Sequence, residues 1–318
     1  MTLQTYFNTD NPQQREIMII DSGLGGLSVC AQLAARFIQA SQAVKLIYVN
    51  AAPSDETGYD DLGDTEAQTK YFSATLEALT QRWQPEQTLV ACNTLSALMP
   101  QLISQPTPLT SVIDCALAAL TKALKQHYVP TKWPDLKVVL FATPTTIYSS
   151  AYAKRLTKMG LPPSALISQP CPGLATAISN DVDTLKAKIN QYVGQALDQL
   201  SNQASQANDE QQKLPVAIIL GCTHYGYRQD LFHQAIELYY YRKGHRDPFF
   251  IVVPNQQMAM QVDLLSAKDP SPVSPQVEFY SRYEVPKTEV DTVSQYLSSI
   301  NQQTADALCQ QIVDPTLF

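Results

Sequence analysis

The stretch Pro215-Val216-Ala217-Ile218-Ile219-Leu220-Gly221-Cys222-Thr223-His224-Tyr225 decides how the chain is read. Its first six residues form an unbroken aliphatic and β-branched run, as expected of a strand covered on both faces in an α/β domain. Gly221 ends the run. Side chains at the carboxyl end of such a strand face the crevice in which open α/β sheets bind ligands. Cys222 and His224 therefore stand at the mouth of a site.

Nearer the N-terminus, Gln87 to Ala91 is a second strand, and it runs directly into Cys92-Asn93-Thr94. A single free cysteine is most often a buried small hydrophobe. Two cysteines at matching strand ends, each followed by hydrogen-bonding residues that a buried strand end must satisfy, point instead to one shared site. A third strand, Glu16 to Ile20, delivers Asp21-Ser22-Gly23-Leu24-Gly25-Gly26 to a tight turn before the helical pattern Leu27 to Ala40. The glycines allow close backbone approach, but their spacing is neither the dinucleotide fingerprint nor a phosphate loop, and a plain strand-to-helix turn fits equally well.

Further strands fall at Val44 to Val49, Ser111 to Ile113, Lys137 to Ala142, Ala165 to Ser168, Phe249 to Val253 and Gln276 to Ser281. Helical patterns fall at Thr65 to Trp83, 114–128, Tyr148 to Met159, Asp183 to Leu200, through Leu238-Tyr239-Tyr240-Tyr241, at Gln256 to Ala267, and from Lys287 onward. Met1 to Arg15 is a polar extension, Ser201 to Gln212 a polar loop or helix end, and Pro-containing loops cover Gln105 to Pro108 and the segment before Gln276. Strands alternating with helices predict parallel sheets. The expected fold is α/β, with two similar parallel-sheet domains related by pseudo-twofold symmetry and the active site in the cleft between them. The first domain takes residues 1–112 and 226–318, the second 113–225.

The totals agree with an ordinary globular protein. Of 318 residues 45% are hydrophobic and 16% charged, which argues against disorder, and a net charge of −7 argues against a nucleic-acid surface. No run approaches a membrane span and no signal-peptide core opens the chain, so the expected location is the cytoplasm. The six cysteines have no framework spacing, and reduced thiols are the default. Cys92, Cys222 and His224 lack ligand-type spacing, so no metal is expected. His127, His233 and His245 carry no motif.

The set Asp21-Ser22-Gly23-Leu24-Gly25-Gly26-Leu27-Ser28-Val29, Ala91-Cys92-Asn93-Thr94 and Gly221-Cys222-Thr223-His224-Tyr225 resembles the glutamate racemase branch of the aspartate/glutamate racemase superfamily. Thr143, Thr146, Ser149, Tyr152 and Cys171-Pro172 also resemble family stretches. The resemblance implies a cofactor-independent amino-acid racemase that supplies D-glutamate for peptidoglycan, with a small amino acid as its partner and a homodimeric assembly. It implies that Cys92 takes the Cα proton from the D-isomer and Cys222 from the L-isomer, with Asp21 assisting Cys92 and His224 assisting Cys222. Ser22, Asn93, Thr94 and Thr223 carry over as substrate contacts, and Tyr59 is the counterpart of a family Pro-Tyr-Gly tyrosine. Three departures stand out: Gly58-Tyr59-Asp60 replaces Pro-Tyr-Gly, Ser179 stands where an acidic residue is expected, and Pro254-Asn255 replaces an acidic strand end. They bear on the substrate side chain more than on the two-thiol chemistry. A same-fold racemase or isomerase of another small acid, or a binding protein without activity, remains the alternative reading.

Overall fold

The computed structural model describes residues 15–102, 108–127, 136–206, 215–244, 248–264 and 274–318. The N-terminal extension before Arg15, the start of the Gln105 to Pro108 loop, the polar segment from 207, His245 and the Pro/Ser loop before Gln276 lie outside them.

In the first half the chain lays down β1 (Arg15–Asp21), α1 (Leu27–Gln39), β2 (Val44–Asn50), α2 (Thr65–Trp83), β3 (Gln87–Val90), α3 (Asn93–Leu98), β4 (Leu109–Ser111) and α4 (Val112–His127). There follow β5 (Lys137–Ala142), α5 (Pro144–Tyr148), α6 (Ala151–Lys158), β6 (Leu166–Pro170), α7 (Leu174–Ser179), α8 (Leu185–Gln206), β7 (Val216–Gly221), α9 (Gln229–Lys243), β8 (Phe249–Val252) and α10 (Pro254–Gln261). The chain ends through β9 (Gln276–Ser281), α11 (Lys287–Ser298), α12 (Gln302–Cys309) and β10 (Ile312–Val313).

Among the described residues these strands form two sheets, ordered β10-β9-β2-β1-β3-β4 and β6-β5-β7-β8. Every pairing between them is parallel. The run β2-β1-β3-β4 has the same topology as β6-β5-β7-β8, so β1 corresponds to β5 and β3 to β7. Cys92 follows β3 and Cys222 follows β7. The internal repeat thus places the two thiols at equivalent strand ends, where a doubly wound sheet opens its crevice.

The strands read as apolar runs because both faces are covered: every residue of β7 is buried. In the first sheet α1, α11 and α12 close one face around Ile17, Ile19 and Tyr48, while Phe72, Leu76 and Leu79 of α2 close the other around Met18 and Ile20. In the second sheet α8 and α9 cover one face, and α4 and α6 the other.

Two sequence expectations are corrected by strand pairing. Residue 226 does not return the chain to the first sheet: α9 packs on α8, and β8 pairs with β7 through Val216↔Phe249 to Ile219↔Val252. The first sheet resumes only at β9, which pairs with β2. The strand expected at Ser111 to Ile113 lies two residues earlier, because Val112 already opens α4. Among the described residues no helix is long and apolar enough to cross a membrane.

Candidate active site

The turn after β1 is pressed against the turn after β7, and hydrogen bonds fasten the two together. Asp21 Oδ2 accepts from Gly26 N–H at 2.5 Å and from the Thr223 hydroxyl at 2.9 Å. Tyr227 OH donates to Leu24 O at 2.9 Å. The Asn255 amide, at the start of α10, donates to Ser28 Oγ at 2.6 Å, to Thr223 O at 3.0 Å and to Gly25 O at 3.3 Å. Asn255 is only 2% exposed, so at the position where an acidic residue is expected this chain carries a neutral brace.

Between the turns lies a cavity of about 220 Å³, smaller than a drug-sized pocket. Cys92 and Cys222 both line it, together with Asp21, Ser22, Asn93, Thr94, Thr223 and His224. Eight of the nine candidate residues therefore meet in one place. The exception is Tyr59, which is corrected: its ring is 3% exposed, packs edge-on against Tyr71, and sits in the core cluster behind Cys92 rather than on the cavity wall.

Each thiol has its own polar company. Cys92 Sγ lies 3.0 Å from Ser22 Oγ and accepts the Leu95 N–H at 3.5 Å. Burial, then the neighbouring Asp21 charge, push this thiol up to about 12. Burial drives Cys222 up as well, against a backbone hydrogen bond at His224. Its sulfur is 3.9 Å from His224 Nδ1. Burial holds the His224 imidazole below its ordinary value, partly offset by Asp21, and raises the Asp21 carboxyl against His224, Thr223 and Gly26. Both sulfurs therefore rest as thiols, with an imidazole held toward its neutral form beside one and a carboxyl of raised proton affinity beside the other.

The opposite wall supplies donors. Tyr152 OH, on α6, donates to Asn93 Oδ1 at 2.7 Å, and both side chains are buried. With its oxygen occupied, Asn93 keeps Nδ2 as a buried donor without a partner among the described residues. Thr143 caps α5 by accepting Thr146 N–H and donates its hydroxyl to Thr146 Oγ1 at 3.1 Å, and both threonines line the cavity. No lining residue among those described is Lys or Arg. The hydrogen-bond donors of this wall among the described residues are neutral hydroxyls and amides.

Sequence reading missed α7, whose Ala175, Thr176 and Ser179 form one wall, and Glu289 of α11. The first is too short to show helical periodicity. The second comes from the far end of the chain with no motif around it.

No protein-family model matches the chain. A glutamate racemase from Jannaschia sp. is 30% identical over 229 residues, which cover 69% of this chain and 76% of that protein. Among solved structures, a glutamate racemase from Campylobacter jejuni subsp. jejuni superposes with a TM-score of 0.59 at 22% identity, covering 89% of this chain and 98% of the other. One from Francisella tularensis, in complex with D-glutamate, gives 0.58 at 19% identity over 91% and 95%. At those identities the structures speak for the fold, two parallel-sheet lobes. The sequence relative, matched over three quarters of its length, settles the lineage: the chain belongs to the glutamate racemase family.

Proposed function

We propose that this protein interconverts L- and D-glutamate by proton transfer at Cα between Cys92 and Cys222. The observation that carries the reading is that two strand ends made equivalent by the internal repeat bring a thiol each to one small cavity. An α-proton removed from one face must be replaced on the other, and one group cannot readily serve both faces. In the D-to-L direction the Cys92 thiolate takes the Cα proton, an S–H bond forms, and the C–H electron pair moves into the adjacent carboxylate. The Cys222 thiol then returns a proton on the opposite face. The L-to-D direction exchanges the roles. Donors on the cavity wall, the Asn93 amide with the hydroxyls of Ser22 and Thr94, stabilise the charge that builds on the carboxylate, while Thr223 spends its hydroxyl proton on Asp21 and holds that group in place.

Because burial raises both thiols, thiolate formation needs a local proton acceptor. Asp21 serves Cys92 and the neutral His224 serves Cys222. The ammonium group of an entering amino acid adds a positive charge that favours the thiolate further. The same reading carries a homodimer working in the cytoplasm.

The test is solvent exchange. Purified protein in deuterium oxide, without pyridoxal phosphate, is expected to wash the Cα proton out of both L- and D-glutamate while the optical rotation decays. Loss of neither proton, across the common acidic amino acids, sinks the assignment and leaves a binding protein.

Asp21 supplies a second expectation. Its carboxyl is raised above its ordinary 3.8 by burial, so its contribution to stability is complete below that value and is lost as pH climbs through the raised one. Above that raised value the ionised group opposes folding. Asp21→Asn keeps an oxygen to accept from Gly26 and Thr223 and removes the charge. We expect the melting temperature to rise relative to wild type, by more at pH 8 than at pH 5, while the racemisation rate falls by roughly 10²-fold or more. A variant that melts lower at pH 8, or racemises as fast, contradicts this role.

A further inference from the structure

Ser179, at the end of α7, occupies the position where the resemblance places an acidic residue, yet the cavity does hold a second carboxylate. Apart from Asp21, the acidic residue on its wall is Glu289, from the first turn of α11. The two differ in what they are free to do. Asp21 Oδ2 is taken by the Gly26 N–H and the Thr223 hydroxyl, and the same carboxyl stands beside the Cys92 thiol, so that group is committed to the turns and to Cys92. Glu289 meets one neutral amide. Asn180, which follows Ser179, hydrogen-bonds it, and the Asn180 side chain is itself set by accepting from Thr288 Oγ1 at 3.4 Å and donating to Thr176 O at 3.1 Å. Among the described residues no Lys or Arg lines the cavity beside it. Its backbone is fixed, because Val290, Val293 and Leu297 of the same helix are buried in the first-lobe core.

We propose, building on the racemase reading, that Glu289 receives the α-ammonium group of the bound amino acid and thereby restricts the site to amino acids over desamino and hydroxy analogues. The chemistry is one of complement. A zwitterionic substrate brings one cationic group into a cavity whose described lining offers hydroxyls, amides, thiols, an imidazole and two carboxylates. A partly buried carboxylate with no positive partner is costly until one arrives, and an ammonium that leaves water needs a negative partner in turn. The same charge repels the substrate's own carboxylates, and so turns them toward Asn93 Nδ2 and the threonine hydroxyls on the other wall. The carboxylate lost at 179 is thus regained from a different helix, against the same wall of the cavity.

The experiment compares Glu289→Gln with wild type on two ligands: glutamate, and glutarate, which has both carboxylates and no ammonium. Expected for Glu289→Gln is a rise in KM of about tenfold for both glutamate enantiomers, with kcat changed by less than about threefold and the inhibition constant of glutarate unchanged or lower. Glu289→Asp, which keeps the charge, should recover part of the KM loss. If glutamate and glutarate weaken together, Glu289 merely props the wall and the proposal falls. It falls too if KM does not move, or if Glu289→Asp is no better than Glu289→Gln. Calorimetric titration of wild type and Glu289→Gln with both ligands reads the same difference without turnover. A protein that binds glutamate through Glu289 but exchanges no proton would overturn the racemase reading and leave the ammonium site standing.

Discussion

Cys92→Ser and Cys222→Ser should each cut racemisation by roughly 10²–10⁴-fold, the range that one positioned acid or base supplies. The two losses should be similar in size and different in kind. Serine nearly preserves the volume of cysteine, and at both positions the side chain already lies beside polar groups, Ser22 and the Leu95 N–H at one and His224 at the other. The fold should therefore survive, and unchanged circular dichroism would establish it. What disappears is an acid whose proton can be removed at all near neutral pH. With Cys92 replaced, D-glutamate should stop exchanging its Cα proton while L-glutamate still meets the Cys222 thiolate; with Cys222 replaced, the preference reverses. Deuterium incorporation measured separately from each enantiomer distinguishes these cases. An enzyme indifferent to the loss of Cys92 would be using one-sided chemistry, and the correspondence between β3 and β7 would then be inherited architecture without a catalytic role.

That correspondence was legible early because it rests on strong local signals. Short strand-like runs, most of them apolar, placed β5 and β9 to the residue and β1, β2, β3, β6, β7 and β8 to within about two, and α2 was bounded as read because Asp64 caps it and Gln84 ends it in the left-handed region. Harder features depend on the rest of the molecule. Tyr148 to Met159 reads as one helix, but Ser150 adopts φ of 57° and splits it into α5 and α6. The turn helps to place Tyr152 on Asn93. Nothing in the run Phe249 to Val252 says which of two similar sheets it will join, and that choice moved the lobe boundary. Glu289 is the clearest case: its relevance comes entirely from where α11 docks. Tyr59 errs in the opposite direction, since a motif-like neighbourhood placed it in the site whereas packing against Tyr71 keeps it in the core.

Gly25→Ala should disable the enzyme more thoroughly than its size suggests. Glycine is needed here for room rather than for an unusual backbone angle. A Cβ at this position would overlap Thr223 Oγ1 and come within 2.6 Å of the His224 backbone nitrogen and 2.7 Å of His224 Nδ1. A side-chain tip could swing away; the backbone nitrogen cannot without moving the turn that carries Cys222. The methyl group must therefore push the two strand-end turns apart, loosening Thr223 from Asp21 and Asn255 from Gly25 O. Overpacking of this kind costs about 1–3 kcal/mol, which for a protein of this size lowers the melting temperature by several degrees. The catalytic cost is larger, because misplacement by about 1 Å of a group facing the reacting carbon can lose 10²-fold in rate. The expected result is a folded protein with kcat/KM reduced by roughly 10²-fold or more, in both directions equally, since the separation of the two turns serves both. Gly194 is the matched control. It lies within α8 with nothing inside 4 Å of an added Cβ, so Gly194→Ala should leave turnover unchanged and stabilise the helix by about 0.5–1 kcal/mol. Similar losses of activity in both variants, or full activity in Gly25→Ala, would mean that catalysis does not depend on how closely the turns after β1 and β7 approach.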